Sequence, residues 1–304
     1  MIAGSSLANN ATRGGTGPEI GPPDAPALLC HSPEEAAGHL IGFIRRNPRL
    51  FILTGAGMST DSGIPDYRDG EGAWKRKQPV QHQEFMESQG IRQRYWGRSL
   101  IGWPTIRNAE PNPAHFYVAE MEARSHAGYV VTQNVDRLHQ RAGSPGAVDL
   151  HGRADQVVCM ACGLRSSRDD VHDRCHRLNP DFTVFTARAA PDGDADLDVD
   201  FSSFQVADCA SCGGILKPDV VFFGDNVPKP RVTAAFQALD ASDGLLVIGS
   251  SLMVYSGYRF CRRAHEQGKP IATLNLGRTR ADGIVDLKLN ARISETLKAT
   301  LADL

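Results

Sequence analysis

Residues 50–68 read LFILTGAGMSTDSGIPDYR, and the fold follows from how that stretch is built. Leu50-Phe51-Ile52-Leu53 is an apolar run of the length of a buried strand. Thr54-Gly55-Ala56-Gly57 follows at once, and its glycines let the backbone turn tightly and approach a ligand with no Cβ in the way. Ser59, Thr60, Asp61 and Ser62 then offer N-cap oxygens and free amides, as at a helix start. Strand, glycine turn and helix N-terminus together suit a phosphate group, because free N–H groups and the helix dipole both favour an anion. Gly63-Ile64-Pro65-Asp66-Tyr67-Arg68 closes the stretch with a rigid turn and three polar or aromatic side chains, more than a structural turn needs. The glycine after Gly57 is Gly63, too late for the G-x-G-x-x-G of a dehydrogenase. A hydride-transferring enzyme is therefore disfavoured.

The chain around this stretch has 304 residues, enough for one large domain or two small ones with a sizeable core. Its net charge of −2 supplies no basic field for nucleic acid. No apolar run approaches the ~20 residues of a membrane helix. Four of the seven cysteines fall into two C-x-x-C pairs, which argues for a reduced compartment and a metal rather than a disulfide framework.

Residues 1–27 lack periodicity and the apolar core of a secretory signal, and read as a disordered tail. Ser32-Pro33-Glu34-Glu35 predicts a helix start, carried on by Ala36, Ala37, Leu40, Ile41 and Ile44 as far as Asn47-Pro48. Over 70–118, Gln83–Gln89 and Ile91–Ile101 read as helices; Pro104, Pro111 and Pro113 break the segment, and Ala114–Arg124 makes another helix. Gly128–Thr132 is a second strand, Gln133–His139 a helix start, and Ala147–Leu150 a short strand ending at His151-Gly152. The acidic tract Asp192–Asp200 reads as a solvated loop. The apolar runs Val220–Phe223, Leu245–Ile248 and Ile271–Leu274 are separated by helical stretches at Arg231–Leu239 and Tyr258–Gln267. Alternating strand and helix predicts a parallel sheet covered on both faces. Gly249-Ser250-Ser251 and Asn275-Leu276-Gly277 then fall at the carboxyl ends of strands, the edge where open α/β sheets bind ligands.

Cys159-x-x-Cys162 and Cys209-x-x-Cys212, with Gly163 and Gly213 behind them, have the spacing of two zinc knuckles. Four protein ligands leave no open position, which makes the metal structural. Cys30 and Cys175 lack a partner, and Cys261 reads as core. Gln133, Asn134 and Asp136 at a strand-to-helix junction fit either local capping or a polar ligand in the crevice. His139 reads as a core histidine. His151, at a strand end before Gly152, fits a structural role or that of a general base near neutral pH.

GAGMSTDSGIPDYR, TQNVDRLH, His151-Gly152, the two C-x-x-C pairs, KPDVVFFGD, GSS and NLG occur in the order and approximate spacing of the sirtuins, a resemblance that covers about residues 35–300. IRQRYW at 91–96, GWP at 102–104, APDGD at 190–194 and VYSGYRF at 254–260 resemble the class II branch, which has bacterial and mitochondrial members and so implies a bacterial cytoplasm or, in a eukaryote, the mitochondrial matrix. The resemblance implies an NAD-dependent protein-lysine deacylase that releases nicotinamide and O-acyl-ADP-ribose. It implies an α/β fold: a Rossmann-like parallel-sheet domain over 28–69, 125–155 and 219–304, a helical insertion over 70–124 and a zinc-ribbon module over 156–218. Carried over by motif, Gly55, Ala56 and Gly57 contact the pyrophosphate, and Asp66, Tyr67 and Arg68 lie on the cofactor loop, Tyr67 replacing the commoner Phe. Gln133 and Asn134 face the nicotinamide ribose, with Asn134 also positioning a water, and Asp136 holds the carboxamide with the backbone of Val135. Gly249, Ser250, Ser251, Asn275, Leu276 and Gly277 bind the adenosine half, with Ile293 near the adenine. His151 is the general base.

The implied partner is an acylated-lysine protein or peptide, paired as a strand between the modules, with no nucleic acid and no membrane. Its acyl chain threads a tunnel near Val220 and Phe222. Tyr95 and Arg98, one helical turn apart, resemble the pair with which desuccinylating sirtuins bind an acyl carboxylate. An acidic acyl preference is one expectation, and a surface role for Arg98 is the other. Two rivals stay open: a protein mono-ADP-ribosyltransferase, and a zinc-ribbon binding module on a nucleotide-binding scaffold.

Overall fold

In the computed structural model Ser32 caps the first helix as its sequence requires. Its Oγ accepts from the Glu35 N–H at 3.2 Å, and the Glu35 carboxylate accepts from the Ser32 N–H at 3.0 Å. The structure describes residues 31–75, 79–184, 188–189, 195–196 and 199–304. The expected tail over 1–27, Cys30 and the greater part of the acidic tract lie outside the described residues.

The elements run α1 (Pro33–Arg46), β1 (Leu50–Thr54), α2 (His82–Glu87), α3 (Gln89–Asn108), α4 (Pro113–Ala123), β2 (Ala127–Thr132), α5 (Leu138–Arg141), β3 (Val148–Asp149), β4 (Gly152–Cys159), β5 (Arg165–Ser167) and α6 (Arg168–Leu178). They continue with the short pair β6 (Arg188–Ala189) and β7 (Ala195–Asp196), then β8 (Leu216–Val220), α7 (Lys229–Asp240), β9 (Gly244–Ile248), α8 (Tyr255–Glu266), β10 (Ile271–Leu274), β11 (Leu287–Leu289) and α9 (Ile293–Ala302).

Six parallel strands form the main sheet in the order β11-β10-β9-β1-β2-β3. All five residues of β1 are buried, and they alternate between two cores. Leu50 and Ile52 pack with Leu40 and Ile44 of α1, Val118 of α4 and Leu297 of α9. Phe51 and Leu53 pack with Leu239 of α7 and Phe260 of α8. Each such side chain contributes about 1.5–3 kcal/mol when buried, so the period-2 alternation fixes both covering layers. The chain leaves β1 towards β2 and β3, and later fills the other side with β9, β10 and β11. A crevice opens beyond the carboxyl ends at such a reversal.

A third core joins α2, α3 and α6 to a small antiparallel sheet, β5-β4-β8, through Phe85, Tyr95, Trp96, Trp103, Val157, Val171, Leu216 and Phe222. Arg168 is 2% exposed. Its guanidinium lies 4.7 Å from the Trp96 ring and 5.4 Å from that of Trp103, and donates to the Ser99 hydroxyl. Cation–π attraction and this hydrogen bond hold α6 on α3.

Four expectations give way. No α-helix follows the glycine turn, only two short 3₁₀ segments, Ala56–Met58 and Thr60–Ser62, because the Ser59 side chain bonds Asp136 and Asn134 instead of capping. Pro104 lies inside α3 rather than ending it. Burial of Trp96, Leu100, Trp103 and Ile106 on that helix outweighs the roughly 3 kcal/mol an interior proline costs. Gln133–Arg137 stays non-helical, with Arg137 at φ +67° and the Leu138 N–H drawn to Asp136, so α5 keeps only four residues. Val220 ends β8, which pairs antiparallel with β4 and not in the parallel sheet. The spacing of Val220–Phe223 cannot distinguish these two sheets.

Candidate active site

Four carboxyl ends of the main sheet meet around the glycine turn. The Gly55 N–H donates to the Ile248 carbonyl at 3.1 Å, and the Gly57 N–H to that of Gly249 at 2.9 Å. A Cβ on Gly55 would stand 2.7 Å from Ser250 Cβ, and one on Gly249, at φ +63°, 2.5 Å from the Met58 nitrogen. These glycines let the loops after β1 and β9 lie backbone to backbone. The nearest neighbour of Gly55 and Gly57 is thus the chain's own loop, and Ala56 stands half-buried between them.

Beyond the turn the polar side chains interlock. Ser59, 1% exposed, donates to Asp136 Oδ2 at 2.6 Å and accepts from Asn134 Nδ2 at 3.0 Å. Asn134 also donates to the Gly55 carbonyl at 3.0 Å. Asp136 Oδ1 accepts from the Leu138 N–H at 3.0 Å. Burial raises the Asp136 pKa, and the Ser59 and Leu138 donors work against that rise. Gln133 Nε2 donates to Ser250 Oγ at 2.7 Å and to the Thr54 carbonyl at 3.2 Å. Its amide packs on Gly257, where a Cβ would collide with it.

His151 follows β3. Its Nδ1 lies 2.9 Å from the Gln133 carbonyl and its Nε2 2.7 Å from the Ser256 hydroxyl. A carbonyl only accepts, so the network assigns the proton to Nδ1 and leaves Nε2 to accept from Ser256. Burial lowers the pKa to about 4, Arg231 and Arg259 push the same way, and the Gln133 carbonyl opposes them. The ring is therefore neutral at pH 7, with its basic lone pair on Nε2, where Ser256 meets it. His139, by contrast, is 1% exposed, bonds Thr54 Oγ1 through Nε2 at 2.8 Å and packs on His115 at 4.9 Å, as a core histidine.

The remaining expected residues border this group. Asn275 follows β10, with Nδ2 on the Leu276 carbonyl at 2.9 Å; Leu276 is 57% exposed, and the Gly277 N–H donates to Asn290 Oδ1 at 2.9 Å. Ile293 Cδ1 lies against Gly249, and the Ser251 carbonyl accepts from the Arg280 N–H at 2.9 Å. The loop after Pro65 folds on itself: Asp66 pairs with Lys75 at 2.5 Å, the Arg68 guanidinium lies 3.9 Å over the Trp74 ring, and Tyr67 meets Phe223 edge-on at 6.3 Å. The Arg278 N–H donates to the Gly70 carbonyl at 2.8 Å, which ties that loop to the β10 edge.

Tyr95 lies 5.2 Å from the Phe222 ring and 5.4 Å from that of Phe85, and Arg98 sits half-buried one turn further along α3. Val220 pairs with Gly152, and the Val221 N–H donates to the His151 carbonyl at 2.7 Å, so this aromatic group adjoins the histidine. Lys217 is 5% exposed; its Nζ donates to the carbonyls of Pro218 and Val220 and lies 4.6 Å over Phe222.

The four cysteine sulfurs lie within 4.8 Å of one another, Cys159 and Cys212 at 3.5 Å and Cys162 and Cys209 at 3.8 Å. A tetrahedron of ~2.3 Å zinc–sulfur bonds has edges of about 3.8 Å, which this donor set fits. Gly163 and Gly213, at φ +75° and +71°, turn the chain behind each pair. The rim carries what a dinucleotide needs: a close-packed glycine turn, the hydroxyls of Ser250 and Ser251, the amides of Gln133, Asn134 and Asn275, and a neutral imidazole.

Sequence reasoning overlooked Ser256 and Gly257. It started that helix at Tyr258, whereas α8 begins at Tyr255 and sets both residues against the rim. Their place a few residues after a strand-end GSS was the available signal.

A family model described as the Sir2 family matches residues 55–256. The chain is 54% identical over 256 residues to "NAD-dependent protein deacetylase 2" of Bradyrhizobium diazoefficiens, covering 84% of this chain and 94% of the relative. It is 47% identical over 267 residues to human "NAD-dependent protein lipoamidase sirtuin-4, mitochondrial", covering 86% and 85%. Its fold is similar, with a TM-score of 0.70 and 26% identity, to a crystal structure of Sir2 with an inhibitor, 2′-O-acetyl-ADP-ribose and a deacetylated p53 peptide, covering 88% of this chain and 98% of that one.

Proposed function

The chain belongs to the Sir2 family, and on that premise we propose that it is an NAD-dependent protein-lysine deacylase. The reading rests on the neutral His151, held between the Gln133 carbonyl and Ser256 beside the glycine turn. Gly55, Ala56, Gly57, Ser250 and Ser251 would hold the phosphates and neighbouring ribose, and Asn275, Leu276, Gly277 and Ile293 the adenosine end. Gln133, Asn134 and Asp136 would hold the nicotinamide half, with Asp66, Tyr67 and Arg68 covering it. NAD, when bound, would supply an ADP-ribosyl group as the acceptor of the acyl oxygen, with nicotinamide as the leaving group. Asp136 would hold the carboxamide through its buried carboxylate, and Asn134 would orient a water. His151 Nε2 would take a proton from a ribose hydroxyl and return it to the departing amine. Zinc, held by Cys159, Cys162, Cys209 and Cys212, fastens the small module and takes no part in these steps.

The substrate is an acyl-lysine peptide whose side chain enters beside Val220 and Phe222. Arg98, beyond the Tyr95–Phe222 rings, would favour a chain that ends in a carboxylate. Among the described residues no helix is long and apolar enough to cross a membrane, and the cytoplasm suits the thiol site and the bacterial relative. A mass-spectrometric panel of acyl-lysine peptides with NAD, scored by nicotinamide release, tests the reading. Turnover of at least one peptide, abolished in His151→Tyr, is the expected result.

A further inference from the structure

We propose that the rim beside His151 docks acidic residues flanking the acylated lysine, on a surface made by Tyr255, Arg259, Arg262 and Arg280. The inference rests on the deacylase reading and names the class of sequence that site prefers. Tyr255 opens α8, next to the serine that touches His151, and is 47% exposed. Around its ring the guanidinium carbons of Arg259, Arg262 and Arg280 stand at 5.4, 6.0 and 5.9 Å. Arg280 also lies 4.5 Å over Tyr258 and donates to the Met253 carbonyl at 3.3 Å.

Elsewhere on this chain several arginines meet carboxylates, as in Arg49–Asp243, Arg165–Asp219 and Arg263–Asp240, while others such as Arg92 and Arg231 bond backbone carbonyls. At Tyr255 only Arg262 does so, with Glu266 at 3.1 Å. Among the described residues Arg259 and Arg280 have no ion-pair partner, and Arg259 Nε is buried with no hydrogen bond at all. A carboxylate would meet the guanidinium groups of Arg259 and Arg280, which no acid balances, with charge-assisted bonds. A peptide that brings a lysine side chain to His151 passes this ring. Asp or Glu beside that lysine meets the unpaired guanidiniums while its methylenes pack on Tyr255. Three arginines on a chain of net charge −2 make a poor track for a polyphosphate backbone, so a peptide is the fitting occupant.

The test compares peptides with one acyl-lysine flanked by Asp-Glu, Ser-Gly or Lys-Arg, at 50 and 300 mM salt. It uses the full chain, Arg262→Gln/Arg280→Gln and a charge-preserving Arg280→Lys. The acidic peptide should show a KM about 3- to 10-fold below that of the Ser-Gly peptide at low salt, with kcat within about twofold. The double glutamine variant, which keeps Arg259, should cut that difference at least by half while leaving the Ser-Gly peptide unchanged, and Arg280→Lys should keep most of it. Equal KM values, or a preference undiminished in the glutamine variant, overturn the proposal. Anisotropy of the same labelled peptides without NAD separates the two readings: arginine-dependent binding without turnover of any peptide keeps the surface and sinks the deacylase. Tighter arginine-dependent binding of a single-stranded oligonucleotide than of the acidic peptide would instead assign the patch to nucleic acid.

Discussion

The Ser256 hydroxyl donates to His151 Nε2 at 2.7 Å, the nitrogen that a general base must offer. The bond orients the ring and favours its neutral form, because only the unprotonated nitrogen accepts. With the pKa lowered to about 4, His151 should keep kcat/KM flat as pH falls through 6.5, and the acid limb should appear near that lowered value. Ser256→Ala removes a donor to the neutral form, so that limb should move up in pH and kcat/KM at pH 7 should fall about 3- to 10-fold. Ser256→Thr should restore the profile. An unshifted limb in the alanine variant would reduce Ser256 to a packing residue.

Asp136 is held by Ser59 at 2.6 Å and by the Leu138 N–H at 3.0 Å. Asp136→Asn keeps an oxygen for Leu138 and a group that meets Ser59, so the fold should survive. The loss should fall on nicotinamide: about 10- to 100-fold in kcat/KM, the scale of a hydrogen bond to a charged group. Steady-state kinetics beside a thermal melt would check it, and a collapsed melt with proportionate activity would contradict it.

The four thiolates close the small module, where Cys159 and Cys209 are also part of the core with Val157 and Leu216. Cys159→Ala or a strong chelator should release about one zinc per chain and melt β4, β5 and β8 before the main sheet, since metal binding contributes to folding. Hydrogen exchange would resolve the two. Intact protection in the small sheet with lost activity would make the metal catalytic.

His139 and His115 are held neutral by burial, at about 3 and about 4. A depressed histidine favours the folded state above the unfolded pKa near 6.5, and that contribution is lost as pH falls towards the folded value. Asp136, Asp149 and Glu122 are raised by burial and act in the opposite sense, so one variant must isolate the effect. The stability advantage of wild type over His139→Gln should shrink by up to about 2 kcal/mol between pH 6.5 and 5. Urea melts at the two pH values read it directly, and a constant difference would mean that His139 takes its proton in the fold.

Arg98→Leu tests the acyl end. Turnover of succinyl- or glutaryl-type peptides should drop about 10-fold or more relative to acetyl peptides, as expected for loss of a guanidinium–carboxylate pair. Equal turnover of both, unchanged by the substitution, would leave Arg98 a structural residue.

Much of this was legible before any coordinates. Leu50–Thr54 and Leu245–Ile248 are apolar runs that end at glycines, so both strands and their ligand-binding ends follow from local pattern. The cysteine pairs carry their geometry in their spacing. Ser256 and Gly257 are different: their partners His151 and Gln133 lie far away in sequence, and only the docking of α8 brings them together. Pro104 and the Val220 strand misled for the same reason. Tertiary burial overrides a proline's propensity, and an apolar run does not say which sheet it joins.

The central claim is that this rim joins the acyl group of a lysine side chain to the ribose of NAD. The most direct measurement is product stoichiometry by mass spectrometry with purified protein, NAD and one accepted acyl-lysine peptide. The account predicts equal amounts of nicotinamide, free-lysine peptide and O-acyl-ADP-ribose, and none from His151→Tyr. Nicotinamide release matched by ADP-ribose bound to protein, with the acyl peptide intact, would contradict it.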